Sequence, residues 1–593
     1  MNDEIELEEE FARAPLAQAR LRRLLAYLKP YKRLLVYALT LEVLWVVSML
    51  FEVWLIGRSQ DGPIAAGDTA RMAVFAAWML GNVAFRAWFT VWEIRTTTRI
   101  GIEVMHAIRR DVFAHIQRLS MRYFDRTKQG RIIARADRDV DTLEHLLLWG
   151  PVAFTSLAFS MVLGFAQMCW ADMSMALWVI PAMPLLWGMT RMFEKLGAPA
   201  YRRVRETHSS ISAHVAETIT GVRVVMAFSA EERELARLET RQKNYRDAVL
   251  SSVRLSSAYV PCLLFILQVI TIVALVVGAR AVAAGELRAG GVMEMMMLIG
   301  FVLGPVEQLG GLYVESLIAG AAAERIFLLM DTDPEVKDRP DATDPGRLAG
   351  EIEFRDVCFS YDPEARHGHQ LDHVSFRVAT GETVALVGHT GAGKTSIVNL
   401  IARFYEAQQG VVSVDGHDIR SMPVASLHRQ MGMVLQESFL FAGTVLDNLR
   451  FVAPELTEED AKRGFSDLGC AEVLHGLAQG LMTDVGERGA NLSEGERQIV
   501  CFVRALLARP SILILDEATS AVDTRTESLI LHAMRKLASR QTTVVIAHRL
   551  STIRHADRIL VLEHGRVVEQ GRHEGLLAAG GTYTRLYREY ATD

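Results

Sequence analysis

Cysteine is scarce in this sequence: the 593 residues include five, and no two of them stand in a Cys-x-x-Cys spacing. Isolated cysteines are typical of small apolar side chains in a reducing compartment, which excludes a disulfide-rich scaffold. The first ten residues, MNDEIELEEE, lack basic side chains and are rich in acids, so we expect neither a secretory signal nor a transit peptide. A formal net charge of −6 leaves no basic surplus, which argues against a dedicated nucleic-acid binder.

Apolar residues, in contrast, make up 50% of the chain and raise its mean hydropathy to +0.17. This composition excludes a disordered chain, which needs low hydrophobicity. The charged fraction of 23% is nevertheless ordinary for a soluble protein. The two values together predict two unlike halves, one embedded in a membrane and one soluble.

Long apolar runs fill the first half of the sequence, and each is close to the ~20 residues that a helix needs to cross ~30 Å of hydrocarbon. We predict six membrane spans, at residues 34–56, 72–92, 147–170, 173–193, 259–279 and 292–313. Cations are concentrated before the first span and in the two long loops, whereas the other loops carry few. The positive-inside rule therefore places the amino terminus, both long loops and everything after the sixth span in the cytoplasm.

Both long loops have helical periodicity and few helix breakers. We therefore expect the spans to continue as helices far into the cytoplasm, with turns near residues 123–130 and 217–228.

Ionisable residues and methionines also lie within the spans. Charges inside a membrane usually face a cavity or a partner, and methionine surfaces adapt to varied apolar ligands. The candidate lining residues of a substrate cavity are Glu42, Arg86, Met296 and Glu307. The alternative is that the methionines face lipid and the glutamates near the ends of spans reach the membrane interface.

The sequence changes character after the sixth span. We expect a cytoplasmic segment at residues 1–33, a transmembrane domain at 34–320, a polar linker at 321–350 and a soluble domain at 351–593. In the soluble domain, short β-like runs alternate with helical stretches, which is typical of α/β folds.

The first motif of the soluble domain is typical of a phosphate-binding loop. The sequence GHTGAGKT at residues 388–395 follows an apolar strand and opens a helix, as the GxxxxGK[ST] pattern requires. Its glycines let backbone N–H groups wrap phosphates, Lys394 reaches the terminal phosphates of ATP, and Thr395 holds Mg²⁺. The candidate ATP-binding residues of this loop are Gly388, His389, Thr390, Gly391, Ala392, Gly393, Lys394, Thr395 and Ser396.

Two further apolar runs end in polar residues. Asp516 closes one predicted strand and is a candidate Mg²⁺ ligand, while Glu517 beside it is suited to polarise the attacking water as a general base. His548 follows the next strand and is suited to contact the γ-phosphate. Because ligands of open α/β sheets bind at the carboxyl ends of the strands, we predict that Glu517 and His548 are catalytic.

Together these motifs resemble the ATP-binding cassette (ABC) transporters, specifically the half-size exporters, over nearly the whole chain. The resemblance implies an all-α six-helix transmembrane domain with long cytoplasmic helix extensions, followed by an α/β phosphate-loop ATPase domain. It also implies that two such chains enclose two ATP molecules, and that the two loop tips couple hydrolysis to movement of the spans.

The resemblance suggests roles for further residues. Tyr361 looks like the aromatic residue that stacks on adenine, and Gln436 looks like the loop glutamine that contacts Mg²⁺. Asp523 lies in a segment that looks like the loop crossing the dimer interface. Ser493 and Gly495 belong to the signature that contacts ATP on the partner chain.

That signature departs from the family sequence LSGGQ, because residues 492–496 read LSEGE. Glu496 has an ordinary explanation, since Ser493 and Glu496 have the spacing of a capping box. Glu494 replaces a glycine and brings negative charge near the phosphate position, which should weaken that site. With the catalytic Glu517 intact, the pattern is similar to one subunit of a heterodimeric exporter, which we favour over a homodimer.

We therefore expect ATP-driven, multidrug-type efflux of amphipathic small molecules across a bacterial cytoplasmic membrane. A lipid or glycolipid flippase of the same fold is the main alternative. A peptide exporter and an ATP-gated regulator fit less well, because we expect no peptidase domain before the spans and a gate does not need Glu517. The expected cofactors are ATP and Mg²⁺, and the expected partners are a second half-transporter, membrane lipid and the substrate, without nucleic acid.

Overall fold

The computed structural model describes residues 23–362, 369–516, 524–539, 541–547 and 550–592. The chain divides into two compact units. The first comprises Met1–Gln117 and Gln129–Thr332, and the second comprises Arg118–Lys128 and Asp333–Asp593. The tip of the first long loop therefore belongs to the same compact unit as the carboxy-terminal half.

In the described part of the first unit, six helical segments are long and apolar enough to cross a membrane. They are Lys29–Ile64, Thr69–Ile116, Gly150–Ala171, Met173–Thr220, Glu231–Ala283 and Ala289–Met330. The second and fifth contain 48 and 53 residues, more than twice the ~20 that hydrocarbon requires, so both project well beyond it. The membrane half of the predicted fold class is confirmed.

The returning arm of the first long loop is helical, as predicted, but it is not one continuous helix. The chain forms separate helices before the third span begins, namely Met121–Arg126, Gln129–Ala136 and Arg138–Leu148. The third span then starts at Gly150 with Pro151 in its first turn. Because proline has no N–H group and clashes with the preceding turn, it is tolerated at a helix start and breaks a helix that arrives from upstream.

The fourth span is also interrupted. A short helix, Met173–Leu177, is followed by a turn and then by the long helix Ala182–Thr220, which starts directly after Pro181. Gly221 ends this helix, and the short helix Val222–Ala227 forms the tip of the second long loop.

Among its described residues, the second unit contains two sheets. Its strands are β1 (Ile352–Phe359), β2 (Leu371–Val378), β3 (Thr383–Val387), β4 (Gln409–Val414), β5 (His417–Asp418), β6 (Met431–Val434), β7 (Ile512–Asp516), β8 (Thr542–Ile546), β9 (Arg558–Glu563) and β10 (Arg566–Gly571). The smaller sheet has the order β2-β1-β4-β5 and is antiparallel. The larger has the order β10-β9-β3-β8-β7-β6, and its strands are parallel except for the β10–β9 pair.

The second unit also contains helices, which complete the α/β half of the predicted fold class, and this half is confirmed. They are Lys394–Ile401, Val424–His428, Val445–Arg450, Glu458–Asp467, Ala471–Gly476, Glu494–Leu507, Thr524–Ala538, Leu550–His555, His573–Ala579 and Thr582–Thr592. Successive residues of β3 enter different cores: Ala385 and Val387 pack in one, and Val384 and Leu386 in the other. Burial of both faces explains why this strand reads as a continuous apolar run.

Candidate nucleotide site

The phosphate loop joins β3 to the helix Lys394–Ile401. Gly393 has a φ of +105°, and a Cβ at this position would lie 2.7 Å from Cδ2 of Leu371, so a side chain would be both strained and obstructed. Lys394 is buried, and its Nζ donates hydrogen bonds to the carbonyl oxygens of Gly388 at 2.6 Å and of His389 at 3.1 Å. These contacts hold the lysine ammonium inside the loop.

Asp516 reaches this loop because of the strand order. Asp516 of β7 lies opposite Ile546 of β8, and Ile546 lies opposite Leu386 of β3. The three parallel strands therefore end at one edge of the sheet, where the phosphate loop begins. Burial lowers the pKa of Lys394, and the negative charge of Asp516 opposes this shift, as expected for a carboxylate within electrostatic reach of the ammonium.

The candidate magnesium ligands bind through oxygen and lie at or after the ends of strands of the same sheet. Thr395 is exposed in the first turn of the helix Lys394–Ile401, and Gln436 is exposed two residues after β6 ends. A hydroxyl, an amide oxygen and the carboxylate of Asp516 are donors that suit Mg²⁺, so this set fits the ion. The assignment of the three ligands stays a prediction.

The other predicted ATP-contact positions differ in exposure. Those exposed are His389, Thr390, Gly391 and Ser493. Those buried are Gly388, Ala392, Gly393, Ser396 and Gly495. Three predicted residues lie outside the described part of the chain, namely Glu517, His548 and Asp523, and their roles stay predictions.

Tyr361, the predicted adenine-stacking residue, is tied to the helix that follows the phosphate loop. Its hydroxyl accepts hydrogen bonds from Nδ2 of Asn399 at 2.9 Å and from Oγ of Ser396 at 3.2 Å. Its ring meets the ring of Tyr405 edge to face, with centroids 5.0 Å apart and an interplanar angle of 88°. The stacking role of Tyr361 stays a prediction.

Tyr405 is a residue that the sequence analysis missed. Its hydroxyl donates a hydrogen bond to the carboxylate of Asp125 in the short helix Met121–Arg126. Arg122 of the same helix lies over the Tyr405 ring, 5.7 Å from its centroid, and pairs with Glu335 at 2.7 Å. Because Tyr405 and Asp125 are 280 positions apart, no local motif could have indicated their contact.

The altered signature opens the helix Glu494–Leu507, and its own carboxylates occupy the amino-terminal turn. Oγ of Ser493 accepts from the N–H of Glu496 at 3.3 Å, and the Glu496 carboxylate accepts from the N–H of Ser493 at 2.8 Å, so the predicted capping box is confirmed. Glu494 pairs with Arg497 on the same helix. The sequence analysis missed this counterion, which the i,i+3 spacing of the two charges could have indicated.

Apolar side chains are exposed at the tip of the second long loop. In and beside the helix Val222–Ala227, Val224 is 61% exposed, Met226 is 64% exposed and Phe228 is 78% exposed. A contiguous apolar surface of this kind usually marks an interaction site.

The predicted cavity residues have unequal environments. Glu42 is buried in the first span, and Met296 is half-buried in the sixth. Arg86 of the second span pairs with Glu52 of the first, so its charge already has a counterion. The side chain of Glu307 lies outside the described part of the chain. Membership of all four in a substrate cavity stays a prediction.

Two family models match the chain. The model for the ABC transporter transmembrane region matches residues 35–306, and the ABC transporter model matches residues 371–520.

Several curated proteins are similar over most of this length. The uncharacterized ABC transporter ATP-binding protein YknV of Bacillus subtilis is 35% identical over 98% of this chain and 97% of its own. The probable multidrug resistance ABC transporter ATP-binding/permease protein YheH, also of Bacillus subtilis, is 35% identical over 82% of this chain and 72% of its own. A fatty acid ABC transporter ATP-binding/permease protein of Mycobacterium bovis is 36% identical over 82% of this chain and 76% of its own.

The fold is also similar to a solved structure. A bacterial Atm1-family ABC exporter with ATP bound superimposes with a TM-score of 0.79 at 28% identity, covering 95% of this chain and 99% of the other. Because one polypeptide matches both the membrane and the ATPase models, and relatives align along almost its whole length, the chain belongs to the ABC transporters and is an ATP-hydrolysing half-transporter of the exporter fold.

Proposed function

We propose that this chain uses ATP hydrolysis to export amphipathic small molecules across a bacterial cytoplasmic membrane by alternating access. The observation that carries the proposal is the anchoring of the helix Met121–Arg126, which lies in the loop between two spans, within the ATPase unit. The hydrogen bond of Tyr405 to Asp125 and the ion pair of Arg122 with Glu335 form this anchor. Movement of the ATPase domain would therefore be passed to the loop and its spans.

Within the nucleotide site, each residue type suits one task. Lys394 and the loop N–H groups would hold the phosphates, Glu517 would take a proton from the attacking water, and His548 would contact the γ-phosphate. Bound Mg²⁺ would neutralise developing charge on the phosphates. Its proposed ligands are Thr395, Gln436 and Asp516.

An amphipathic, cationic substrate is favoured by the chemistry of the membrane unit. Glu42 offers a buried carboxylate, and Met296 offers an adaptable apolar surface. The relative YheH carries the name of a probable multidrug transporter.

Transport by reconstituted vesicles tests this substrate class. We expect ATP-dependent movement of a fluorescent cationic dye and, in the Glu42→Gln variant, a larger loss for the cationic dye than for a neutral one of similar size. Glu286→Gln, which changes an exposed carboxylate between the last two spans, is the matched control and should transport both dyes normally. Equal losses for both dyes in Glu42→Gln would contradict a role in charge recognition.

A lipid substrate is the second candidate, because one relative carries the name of a fatty acid transporter. The same vesicles distinguish the two: a labelled lipid that changes leaflet on ATP addition, with no movement of either dye, would replace drug efflux by lipid transport.

We further propose that the working unit is a heterodimer. The turn that opens Glu494–Leu507 contains the carboxylates of Glu494 and Glu496, which already interact with the positive end of this helix. A phosphate on a partner chain would compete with them, so this signature makes a weak site. The exposed apolar tip at Val222–Ala227 gives a partner a surface to cover.

Purification tests the heterodimer directly. Isolated from its native membrane, the chain should bring a second half-transporter with an LSGGQ signature in equal amount, as identified by mass spectrometry. Robust drug-stimulated ATPase activity from the chain purified alone would contradict the heterodimer and leave the exporter proposal intact.

A further inference from the structure

Three side chains that can bind a metal meet at the β1–β2 pair of the smaller sheet. Sγ of Cys358, a carboxylate oxygen of Asp372 and a ring nitrogen of His373 all lie within 4.8 Å of one another. Cys358 lies in β1, and Asp372 and His373 are consecutive in the antiparallel neighbour β2. These residues are distinct from every candidate ligand of ATP or Mg²⁺.

A further carboxylate orients the imidazole of this group. Nδ1 of His373 lies 2.7 Å from Oδ1 of Asp356, while Nε2 lies on the side of Asp372, 3.9 Å from its Oδ1. A carboxylate bound to the far ring nitrogen is the usual partner of a metal-binding histidine, because it fixes the ring and raises the basicity of the other nitrogen.

The backbone holds this pair in place at an irregularity in the strands. The backbone φ angle is +51° at Asp356 and +52° at His373. Residues other than glycine seldom adopt this left-handed conformation. The pairing of β1 with β2 shifts register between Phe354 and Val357, beside Asp356. Such strain persists only where the surrounding structure over-determines it, so the carboxylate and the imidazole are preorganised.

The remaining two ligands are also prepared for a cation. Nε of Arg566 donates to Oδ2 of Asp372 at 2.8 Å, which leaves Oδ1 for another partner. The backbone N–H of His373 donates a hydrogen bond to Sγ of Cys358 at 3.4 Å, which holds this sulfur beside the histidine. The thiolate and the carboxylates of Asp372 and Asp356 then balance the guanidinium of Arg566 together with one divalent ion.

We propose that Cys358, Asp372 and His373 bind one Zn²⁺ per chain, with water as the fourth ligand, and that the ion clamps β1 to β2. Zinc accepts thiolate, imidazole and carboxylate in one tetrahedral set, whereas Mg²⁺ prefers oxygen ligands alone. This site does not depend on the transported substrate or on the partner of the chain.

Equilibrium dialysis of the full-length protein in detergent against Zn²⁺ tests the proposal. The affinity tag must be removed first, because a histidine tag itself binds zinc. We expect one tightly bound Zn²⁺ per chain, lost in Cys358→Ser and His373→Asn and weakened about 10- to 100-fold in Asp356→Asn. The matched control is Cys262→Ser, which removes an exposed thiol elsewhere and should bind zinc like the wild type. Unchanged binding by folded Cys358→Ser would overturn the proposal.

Cobalt supplies a readout that does not depend on the variants folding. Wild-type protein titrated with Co²⁺ should develop a thiolate-to-metal charge-transfer band, and Cys262→Ser should show the same band. Zinc should also raise the unfolding temperature of the wild type, because a ligand that binds only the folded state stabilises it. Absence of the thiolate band in folded wild-type protein would overturn the site.

Discussion

Lys394 is a buried cation whose ammonium is held by two carbonyl oxygens of its own loop. Removing such a charge from water is costly, and the lowered pKa of Lys394 reflects that cost. Asp516 offsets part of the cost through its negative charge. The phosphates of ATP would supply the remaining negative charge that the buried ammonium needs. The cost of burying this lysine is therefore reduced when an anion binds.

Lys394→Ala should therefore weaken ATP binding by about 10- to 100-fold, because a hydrogen bond from a charged donor contributes about 1.5–3 kcal/mol. Binding of a fluorescent ATP analogue to the purified protein measures this. Lys337→Ala removes a half-exposed lysine of the same unit that pairs with Asp333, and it should bind ATP normally. Undiminished binding by Lys394→Ala would mean that the loop does not hold phosphate.

The effect of Glu494, which replaces a glycine of the family signature, depends on the neighbouring residue Arg497. Its pairing with Arg497 reduces the negative charge that we expected near the partner's phosphate, although the lost glycine and the crowded first turn remain. The charge alone is thus a smaller obstacle than the sequence indicated.

Glu494→Gly should raise the ATPase activity of the chain purified alone by roughly two- to fivefold, since an exposed charge beside a phosphate is worth up to about 1 kcal/mol. Glu459→Gly removes the same charge from the first turn of another helix, Glu458–Asp467, and should have no effect. An unchanged rate in folded Glu494→Gly would show that the signature is not what limits the activity of the chain alone.

Among the elements, the helix Met121–Arg126 is too short to be stable in isolation, so its order depends on its neighbours. Tyr405 contacts the helix by its hydrogen bond to Asp125. Glu335 contacts the helix by its ion pair with Arg122. Tyr405 also meets Tyr361, which is bonded to the helix after the phosphate loop. The anchor of this loop and the candidate adenine contact therefore share one aromatic neighbour.

Tyr405→Phe should keep basal ATPase activity but lose much of its stimulation by transport substrate, because the Asp125 carboxylate loses its donor. A hydrogen bond to a charged group contributes about 1.5–3 kcal/mol. ATPase rates with and without dye measure this. Tyr583→Phe removes another buried tyrosine hydroxyl, one that meets His573 at 2.6 Å, and should be stimulated normally. Full stimulation of Tyr405→Phe would exclude this hydroxyl from coupling.

Strand β3 was predictable as the apolar run before the phosphate loop. For β3, the apolar run at Thr383–Val387 is the observed strand, because both of its faces lie in cores. The broken arm before the third span was missed, since its helices end without a proline or glycine signal until Gly150 and Pro151. The contact of Tyr405 with Asp125 could not be predicted from the sequence, because folding brings together two segments that are distant along the chain.

Across the whole molecule, the membrane half and the soluble half of the chain differ in where their apolar side chains lie. The membrane helices leave large apolar side chains exposed, among them Trp78 and Phe265, as lipid solvation allows. The ATPase unit instead buries its apolar runs within the two cores that flank β3. The tip at Val222–Ala227 fits neither pattern, because it is apolar and exposed and lies outside the long apolar runs of its neighbouring helices. This exposure supports our proposal that a partner chain covers it.

Alternating access requires that hydrolysis reset the whole assembly, and Glu517→Gln should arrest it. The amide keeps the size of the side chain but cannot accept the proton of the attacking water, so turnover should fall at least about 100-fold while ATP still binds. The trapped complex should retain ATP through gel filtration and release dye that was bound from the cytoplasmic side. Glu458→Gln changes an exposed acid in the first turn of the helix Glu458–Asp467 and should cycle normally. Hydrolysis at the wild-type rate by Glu517→Gln would assign the general base to another residue.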